Sequence, residues 1–326
     1  MTLRVGVIGA GAAGLIAART VQRSGAEVVV FDKGRRPGGR ANTREHGSHR
    51  FDHGAQYFTL RDDRTRPLLD EWRSAGVVEE WAGRLVRITS EGTQPATKGP
   101  RFVGVPGMIA VAEHLARGLD VRSGARVDRI VSSDGAWRFF GGDGSEMGRF
   151  DRALVALPAP QAVPLLDAAP ELQRVVRAVE MAPCWAGMFV FGARLDLDFD
   201  GAFLTDGALA WIARDSSKPG RPAAESWVLH ATPEWTHRNR DADRDVVSAR
   251  LKEALAARFG PLPPAVFERA HRWGYAQATS PFEHEALYDE RLGIGVCGDW
   301  CAGGRVEGAL LSGLALAGEL LEHGGA

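Results

Sequence analysis

The feature that most constrains this chain is a glycine-rich turn near its N-terminus, between a predicted strand and a predicted helix. Gly9, Gly11 and Gly14 fit the pattern G-x-G-x-x-G, directly after the apolar residues 4–8 and directly before an apolar-faced helix that begins at Ala12. Glycine permits the tight turn and the close approach of backbone to a pyrophosphate, and the helix N-terminus stabilises the phosphate charge. We therefore predict a dinucleotide-binding βαβ unit.

An acidic residue completes this unit. A second apolar strand, predicted over residues 26–31, leads into Asp32, whose carboxylate is placed to accept hydrogen bonds from ribose hydroxyls. The predicted dinucleotide contacts of the turn and the strand end are Gly9, Gly11, Ala12, Ala13, Gly14, Asp32 and Lys33. These residues alone fit FAD and NAD equally well.

Composition places the chain among ordinary globular proteins. It has 326 residues, of which 44% are apolar and 25% charged, and its formal net charge of −1 does not indicate a nucleic-acid or anionic-membrane partner. No apolar stretch reaches the roughly 20 residues of a membrane span, and no signal-peptide pattern is recognisable, so we expect a cytoplasmic protein. Cys184, Cys297 and Cys301 form neither a disulfide framework nor a zinc pattern, which predicts a reducing compartment and no metal.

The remainder of the chain reads as a mixture of helices and short strands. Gly and Asp turns divide residues 120–157 into short strands at 121–122, 126–132, 137–140 and 152–157, which suggest an antiparallel meander. The Gly-, Arg- and His-rich residues 34–54 predict an extended loop. Helices are predicted at 62–76, 110–118, 171–179, 245–259 and 306–321, and further strands at 188–191, 226–231 and 293–297.

Three further segments resemble the flavin amine oxidase superfamily. The run DKGRRPGGR at 32–40 resembles the segment that follows the Rossmann unit in flavin amine oxidases. The run FDHGAQYFT at 51–59 resembles the renalase-like branch of FAD-dependent oxidoreductases, and CGDW at 297–300 with GGRVEGA at 303–309 completes the resemblance.

The resemblance implies an α/β fold with two interleaved domains. The first is a Rossmann-type FAD-binding domain with an antiparallel meander, made of residues 1–60, 101–160 and 286–326. The second is an α+β substrate domain made of residues 61–100 and 161–285. The cofactor implied is FAD, bound without a covalent link.

The same resemblance implies further cofactor contacts. Arg40 reaches the pyrophosphate, Asp299 closes on the ribityl and pyrophosphate, and Val127 contacts adenine through its backbone. Val306 begins a helix whose N-terminus points at the flavin pyrimidine ring, where it stabilises negative charge near N1. The other implied contacts are Gly39, Ala55 and Gln56.

Two segments are candidates for substrate binding. The run HRWGYAQ at 271–277 resembles a family segment that approaches the flavin, and strand alternation would send Trp273 and Tyr275 to one face, suited to stacking on a flat ring. An ordinary core strand is the alternative. Gln56, Tyr57, Phe58 and Thr59 are expected to place polar groups and an aromatic surface beside the isoalloxazine ring, where they would contact a planar substrate. The alternative is a loop that only joins the two domains.

No catalytic residue is assigned from the sequence. Monoamine and polyamine oxidases commonly carry a lysine that holds a water at flavin N5, and none of the lysines in this chain matches that setting; they include Lys33, Lys98, Lys218 and Lys252. Four histidines are candidate proton handlers or, alternatively, structural residues: His53, His230, His271 and His284.

The resemblance implies an oxidase that accepts hydride from the 2- or 6-dihydro isomers of NAD(P)H and passes it to oxygen, giving NAD(P)⁺ and hydrogen peroxide. Such a donor carries an activated C–H bond, so a general base is not strictly required. Three alternatives stay open: a flavin oxidase or dehydrogenase of another amine or metabolite, an FAD-binding protein without turnover, and a nicotinamide-only dehydrogenase.

Overall fold

Buried apolar runs and amphipathic segments alternate along the chain, and the computed structural model, which describes residues 2–96 and 99–323, assembles them into a mixed α/β fold. The α-helices are α1 (Ala12–Arg23), α2 (Arg66–Ser74), α3 (Ile109–Ala116), α4 (Ala159–Ala162), α5 (Pro170–Arg177), α6 (Pro233–Arg238), α7 (Arg244–Phe259) and α8 (Val306–His323). None of these helices in the described ranges is long and apolar enough to cross a membrane.

The strands follow in chain order. They are β1 (Arg4–Ile8), β2 (Glu27–Asp32), β3 (Thr43–His46), β4 (His49–Asp52), β5 (Val78–Glu80), β6 (Leu85–Thr89), β7 (Gly92–Pro95), β8 (Phe102–Gly104), β9 (Asp120–Ser123), β10 (Arg129–Ser133), β11 (Ala136–Phe140), β12 (Glu146–Phe150), β13 (Arg152–Val155), β14 (Met181–Phe191), β15 (Gly201–Leu204), β16 (Leu209–Arg214), β17 (Glu225–Ala231), β18 (Ala265–Ala278), β19 (Leu287–Asp289) and β20 (Ile294–Val296).

A six-stranded sheet forms the first half of the fold, in the order β19-β20-β13-β1-β2-β9. All neighbours pair in parallel except β19, which is antiparallel at one edge. Parallel strands are covered on both faces, which is why their sequences are nearly continuous apolar runs. The predicted βαβ unit, its strands and its helix are confirmed.

The last helix of the chain packs directly on the first. A Cβ atom added at Gly313 of α8 would lie 2.2 Å from the carbonyl oxygen of Ala13 in α1, so only glycine permits this approach. Both helices cover the six-stranded sheet with buried side chains such as Leu15 and Leu316. The two chain ends therefore build one structural unit.

The predicted meander is confirmed, but with different strands. Only β10, β11 and β12 form an antiparallel three-stranded sheet. The predicted strands near Val121 and over 152–157 belong instead to the parallel sheet as β9 and β13, and β12 was missed. Short apolar runs look alike in both settings, and pairing partners decide between them.

The predicted loop over 34–54 is wrong in its second half, where β3 and β4 form a hairpin around Gly47. Its polar, histidine-rich residues hide the strand pattern, because only the end near Asp52 is buried.

A seven-stranded sheet forms the second half, in the order β18-β14-β17-β16-β15-β6-β7, with α7 packed against it. The six-stranded sheet draws its strands from 4–32, 120–155 and 287–296, whereas the seven-stranded sheet draws them from 85–95 and 181–278. The fold class, a Rossmann-type unit beside an α+β unit, is confirmed. The domain boundaries given above stay a prediction.

Candidate functional site

The glycine turn between β1 and α1 has the shape that a pyrophosphate requires. A Cβ at Gly9, whose φ is +109°, would lie 2.4 Å from the carbonyl oxygen of Ala156, and a Cβ at Gly14 would lie 2.0 Å from that of Gly9. A Cβ at Gly11 would meet nothing within 4 Å, so space lies in front of the turn. No side chain caps the start of α1, which leaves its N–H groups available to an anion.

Asp32 organises the turn from the end of β2. Its two carboxylate oxygens accept hydrogen bonds from the backbone N–H groups of Ala10, at 2.7 Å, and Gly34, at 2.6 Å. The N–H of Ala125 bonds to the carbonyl of Asp32, at 2.9 Å, and so brings the start of the Val127 segment alongside. Lys33 Nζ instead donates to Gln161 on the surface, at 3.3 Å.

The two predicted pyrophosphate residues from opposite chain ends meet. Arg40 donates to both oxygens of the Asp299 carboxylate, at 2.5 and 3.0 Å, and to the carbonyl oxygen of Ala276 in β18, at 3.1 Å. The N–H of Gly38 donates to Ala10, at 2.8 Å, which ties the Gly39-Arg40 segment to the glycine turn. The structure thus brings the N-terminal turn, the C-terminal segment and β18 to one place.

The start of α8 closes this region. Gly303 and Gly304 have φ values of +92° and +70°, which glycine adopts without strain, and they lead into Val306. A Cβ at Gly304 would lie 3.5 Å from Gln277 of β18. The N-terminus of α8 therefore faces the segment that the resemblance places near the flavin.

Glu307 was not predicted as a site residue from the sequence, although it fixes the start of α8. Its carboxylate accepts hydrogen bonds from the backbone N–H groups of Arg61 and Asp62, the second at 2.8 Å, and from Thr65 Oγ1 at 3.4 Å. An acidic residue in the first turn of a helix is the signal that could have marked it.

The segment 51–59 divides into inward and outward residues. The N–H of Ala55 donates to the carbonyl of Arg40, at 2.9 Å, and a Cβ at Gly54 would lie 1.9 Å from that oxygen. Phe58 is 3% exposed and pairs with Phe102 by two backbone hydrogen bonds of 2.8 Å, so its side chain packs in the core, and its predicted substrate contact stays a prediction. Tyr57 and Thr59 are half-buried.

Gln56 is also engaged internally. Its Nε2 donates to the carbonyls of Asp52 and Gly54, the second at 3.1 Å, and its Oε1 accepts from Lys218 Nζ at 3.3 Å. Gln56 thus links the segment 51–59 to the loop after β16.

The two predicted aromatic residues of β18 lie in different surroundings. Trp273 Nε1 donates to the carbonyl of His53, at 2.8 Å, and its ring packs against His53 and His271. Tyr275 is exposed, and the register of β18 against β14 is interrupted between Trp273 and Gln277. That interruption breaks the simple alternation on which their pairing was predicted.

An aromatic cluster that the sequence did not reveal lies around Tyr57. The ring of Tyr57 lies 6.1 Å from that of Trp81 and 5.9 Å from that of Trp211, and Trp211 lies 4.6 Å from Phe203. We call Tyr57, Trp81, Phe203 and Trp211 the aromatic cluster. Trp81 Nε1 donates to Ser217, at 3.0 Å, whereas the buried Trp211 Nε1 has no partner within the described ranges.

A buried ionic network lies next to this cluster, with Lys218 Nζ 5.6 Å from the centre of the Trp81 ring. Lys218 Nζ lies 2.6 Å from Asp215 and 3.3 Å from Asp52, and Arg221 also pairs with Asp52; all four side chains are fully buried. Burial alone would raise the pKa of Asp52, but the charges of Lys218 and Arg221 lower it to about 2. Burial raises the pKa of Asp215 above its ordinary value despite the opposing charge of Lys218.

The remaining lysines lie elsewhere or outside the described residues. Lys252 pairs with Glu268 on the surface, and Lys98 is not among the residues that the structure describes. Lys218 is therefore the described lysine nearest the predicted substrate loop, and its ammonium group is held by carboxylates.

Three of the four candidate histidines are held in the neutral form. Burial lowers the pKa of His53 to about 3 and the pKa values of His230 and His271 to about 4, with neighbouring positive charges adding to the effect. His284 lies on the surface beside Phe282. The contacts favour the structural interpretation for the buried His53 and for the half-buried His230 and His271.

The thiols of Cys297 and Cys301 are buried, and Cys184 is half-buried. Burial raises the pKa of Cys184 and of Cys301 to about 12, and that of Cys297 well above its ordinary value. Within the described ranges no group of three or more metal-ligating side chains is suited to a metal ion.

Comparison with known proteins identifies the family. Residues 7–72 match the model of an NAD(P)-binding Rossmann-like domain, and residues 85–321 match that of the flavin containing amine oxidoreductases. A phytoene desaturase (neurosporene-forming) from Rhodobacter capsulatus is 44% identical over 73 residues, which is 22% of this chain and only 13% of that relative.

Solved structures share the whole fold at low identity. A proposed protoporphyrinogen oxidase from Exiguobacterium sp. 255-15 superposes with a TM-score of 0.79 at 14% identity over 99% of both chains. Cyclohexylamine oxidase from Brevibacterium oxydans IH-35A has a TM-score of 0.78 at 13% identity over 99% of both chains. Wild-type putrescine oxidase bound to putrescine has a TM-score of 0.73 at 13% identity, over 99% of this chain and 100% of the putrescine oxidase chain.

The family match resolves the choice between FAD and NAD that the glycine turn left open. A flavin held in a dinucleotide cradle is FAD, and the open space before Gly11 and the uncapped start of α1 fit its pyrophosphate. The chain therefore belongs to the family of flavin-containing amine oxidoreductases and is an FAD-dependent oxidoreductase.

Proposed function

We propose that the protein oxidises the 2- and 6-dihydro isomers of NAD(P)H to NAD(P)⁺, with oxygen as the final acceptor. The observation that carries the proposal is the aromatic cluster with the partnerless Trp211 Nε1. Flat aromatic walls suit a planar dihydronicotinamide ring, and a buried indole N–H suits the oxygen of its carboxamide. The segment FDHGAQYFT, which supplies Tyr57, is also the one that resembles renalase-like enzymes.

The proposed reaction takes up one proton from solvent. A hydride leaves the dihydronicotinamide, and that hydride, the proton and O₂ give hydrogen peroxide and the oxidised nicotinamide. FAD, when bound, supplies the chemistry by accepting the hydride and delivering two electrons to oxygen.

The residues of this chain contribute positioning. The half-buried ring of Tyr57 lies flat against the donor, and the buried rings of Trp81 and Trp211 hold Tyr57 in place and exclude water. The N–H of Trp211 orients the carboxamide. The N-terminus of α8 at Val306 stabilises negative charge on the bound cofactor. Correct placement of a donor that is already activated accounts for a large share of the rate.

A second candidate, oxidation of an amine, is favoured by the family match. An amine must lose its proton before hydride transfer, so its rate would rise with pH through the pKa of the amine. A dihydronicotinamide donor has no such group, and its rate should stay flat over that range.

The experiment measures oxygen uptake and peroxide formation by the purified yellow holoenzyme. Substrates are the 2- and 6-dihydro isomers, with ordinary NADPH, cyclohexylamine and putrescine as comparisons. We expect turnover with the isomers and one peroxide for each molecule oxidised. Turnover with the amines alone would replace the proposal by the second candidate.

A variant tests the role of the cluster. Trp211→Phe keeps the ring and removes the N–H donor, so kcat/KM for the isomers should fall about 3- to 10-fold, the value of one hydrogen bond. Trp235→Phe in α6 is the matched control and should be unchanged. Equal activity of both variants and the parent enzyme would contradict the role given to Trp211.

A further inference from the structure

Three arginines from separate segments converge around the aromatic cluster. Arg61 follows the segment 51–59, and its backbone N–H is bonded to Glu307 in the first turn of α8. Arg305 directly precedes that helix. Arg101 is joined to the cluster by its carbonyl, which accepts a hydrogen bond from the N–H of Trp81 at 2.7 Å.

The charges of these arginines reach Tyr57. Burial raises the pKa of the Tyr57 phenol, and the positive charges of Arg101, Arg305 and Arg61, in that order, oppose the increase. The backbone contacts of Arg61 with Glu307 and of Arg101 with Trp81 bring the three segments together on the side of the half-buried Tyr57.

The neighbouring carboxylates are occupied by other groups. Asp62 pairs with Arg64 and Asp63 pairs with Arg66, both at 2.9 Å, while Glu307 accepts backbone N–H groups. Across residues 2–96 and 99–323, no carboxylate lies within 4.0 Å of the guanidinium nitrogens of Arg61 or Arg305. Both side chains are exposed, so the excess positive charge at this place is accessible to a ligand.

We infer that Arg61 and Arg305 bind a phosphate group of the substrate, with the charge of Arg101 behind them, while its reduced ring lies against the aromatic cluster. Guanidinium groups match phosphate geometry with paired hydrogen bonds and retain their charge at every relevant pH. The inference rests on the proposed function and narrows it, because the enzyme would require nucleotides and discriminate against uncharged dihydronicotinamides.

The test compares three donors that share one reduced ring and differ in phosphate number. They are the 6-dihydro isomers of NADH, of nicotinamide mononucleotide and of nicotinamide riboside, with two, one and no phosphates. Each is mixed anaerobically with the holoenzyme, and the limiting rate and apparent Kd of flavin reduction are measured. We expect Kd to rise at least 10-fold when the last phosphate is removed, with a smaller change in limiting rate.

Arginine variants identify the binding residues. Arg61→Ala and Arg305→Ala should each raise Kd for the mononucleotide about 10-fold and leave Kd for the riboside unchanged. Arg174→Ala, on the exposed face of α5, is the control and should alter neither value. Equal Kd values along the series, or equal losses for all three donors in the Arg61 and Arg305 variants, would overturn the inference.

A binding measurement separates this inference from the proposed function. If none of the donors reduces the flavin, the proposed function fails, and titration with NAD⁺ followed by tryptophan fluorescence decides the inference alone. Tighter binding of NAD⁺ to the parent enzyme and the Arg174 variant than to the Arg61 and Arg305 variants would support it. Equal affinity for all four proteins would overturn it.

Discussion

Arg40 and Asp299, which are 259 residues apart in the chain, form an ion pair with two hydrogen bonds at the point where the glycine turn, β18 and the start of α8 meet. The pair joins the first and last parts of the six-stranded unit. Both residues had been expected to lie along the FAD pyrophosphate and ribityl chain. Their contact joins the N-terminal and C-terminal segments that are predicted to hold the cofactor.

Breaking this pair should weaken cofactor binding. Arg40→Gln removes the charge that offsets phosphate and leaves the Asp299 carboxylate without its partner, so we expect the Kd for FAD to rise 10- to 100-fold. The measurement is flavin fluorescence during titration of the apoprotein. Arg84→Gln, which breaks the exposed pair with Asp198, is the control. An unchanged Kd in Arg40→Gln would exclude a role for the pair in holding FAD.

Replacement of Gly11 tests more directly whether the glycine turn binds the pyrophosphate. Its φ is −78° and an added Cβ meets no protein atom within 4 Å, so Gly11→Ala should leave the melting temperature of the apoprotein unchanged. The same methyl group would occupy the space in front of the turn, and affinity for FAD should fall at least 10-fold. Gly318→Ala inside α8 also meets no neighbour, so it should leave FAD affinity unchanged and raise the melting temperature slightly, because alanine favours the helix. Normal FAD affinity in Gly11→Ala would place the pyrophosphate elsewhere.

Lys218 should be essential for stability. Lys218→Met leaves Asp215 and Asp52 buried with only Arg221 to balance them, which should cost about 3–5 kcal/mol of the free energy of unfolding. Lys252→Met breaks a half-exposed pair and should cost less than about 1 kcal/mol. Urea denaturation measures both changes.

A double variant keeps this prediction testable if the single variant does not fold. Asp215→Asn with Lys218→Met removes one charge of each sign and should be more stable than Lys218→Met alone. A double variant that is less stable than the single one would contradict the account of the network.

The buried histidine His53 should make the protein sensitive to acid. Its pKa is about 3 in the folded protein against 6.5 for an ordinary histidine, so the unfolded chain binds the proton more readily. Stability contributed by the neutral form is therefore lost as the pH falls from 6.5 towards 3, by up to about 1.4 kcal/mol per pH unit.

Replacement of His53 tests whether this histidine makes the protein less stable at low pH. His53→Phe keeps a ring against Trp273 and His271 and removes the titrating group, so the free energy of unfolding should depend less steeply on pH between 6 and 4. His284→Asn, on the surface, should retain the slope of the parent protein. A steeper slope in His53→Phe would show that the histidine is charged in the folded state.

The cofactor side of the site could be predicted because its signals are local. The Gly9, Gly11 and Gly14 turn, the helix after it and Asp32 lie in one short stretch, and the structure has the predicted strand, turn and helix there, with Asp32 bonded to the turn. Arg40 and Asp299 came from a family resemblance, since neither spacing nor periodicity indicates that two such distant residues meet.

The substrate side could not be predicted in the same way. Tyr57 and Trp81 meet because Phe58 bonds to Phe102 and Trp81 bonds to Arg101, which are pairings between distant short strands. No local sequence pattern predicts pairings between strands that are distant in the chain. The inward orientation of Phe58 has the same origin, and so does the interruption of β18 near Trp273.

Anaerobic stopped-flow absorbance of the holoenzyme mixed with the 2- and 6-dihydro isomers of NAD(P)H is the most direct test of the proposed reaction. We expect rapid bleaching of the visible flavin band by these isomers and none by ordinary NADPH. Bleaching by an amine alone, or by none of these donors, would contradict the proposed reaction.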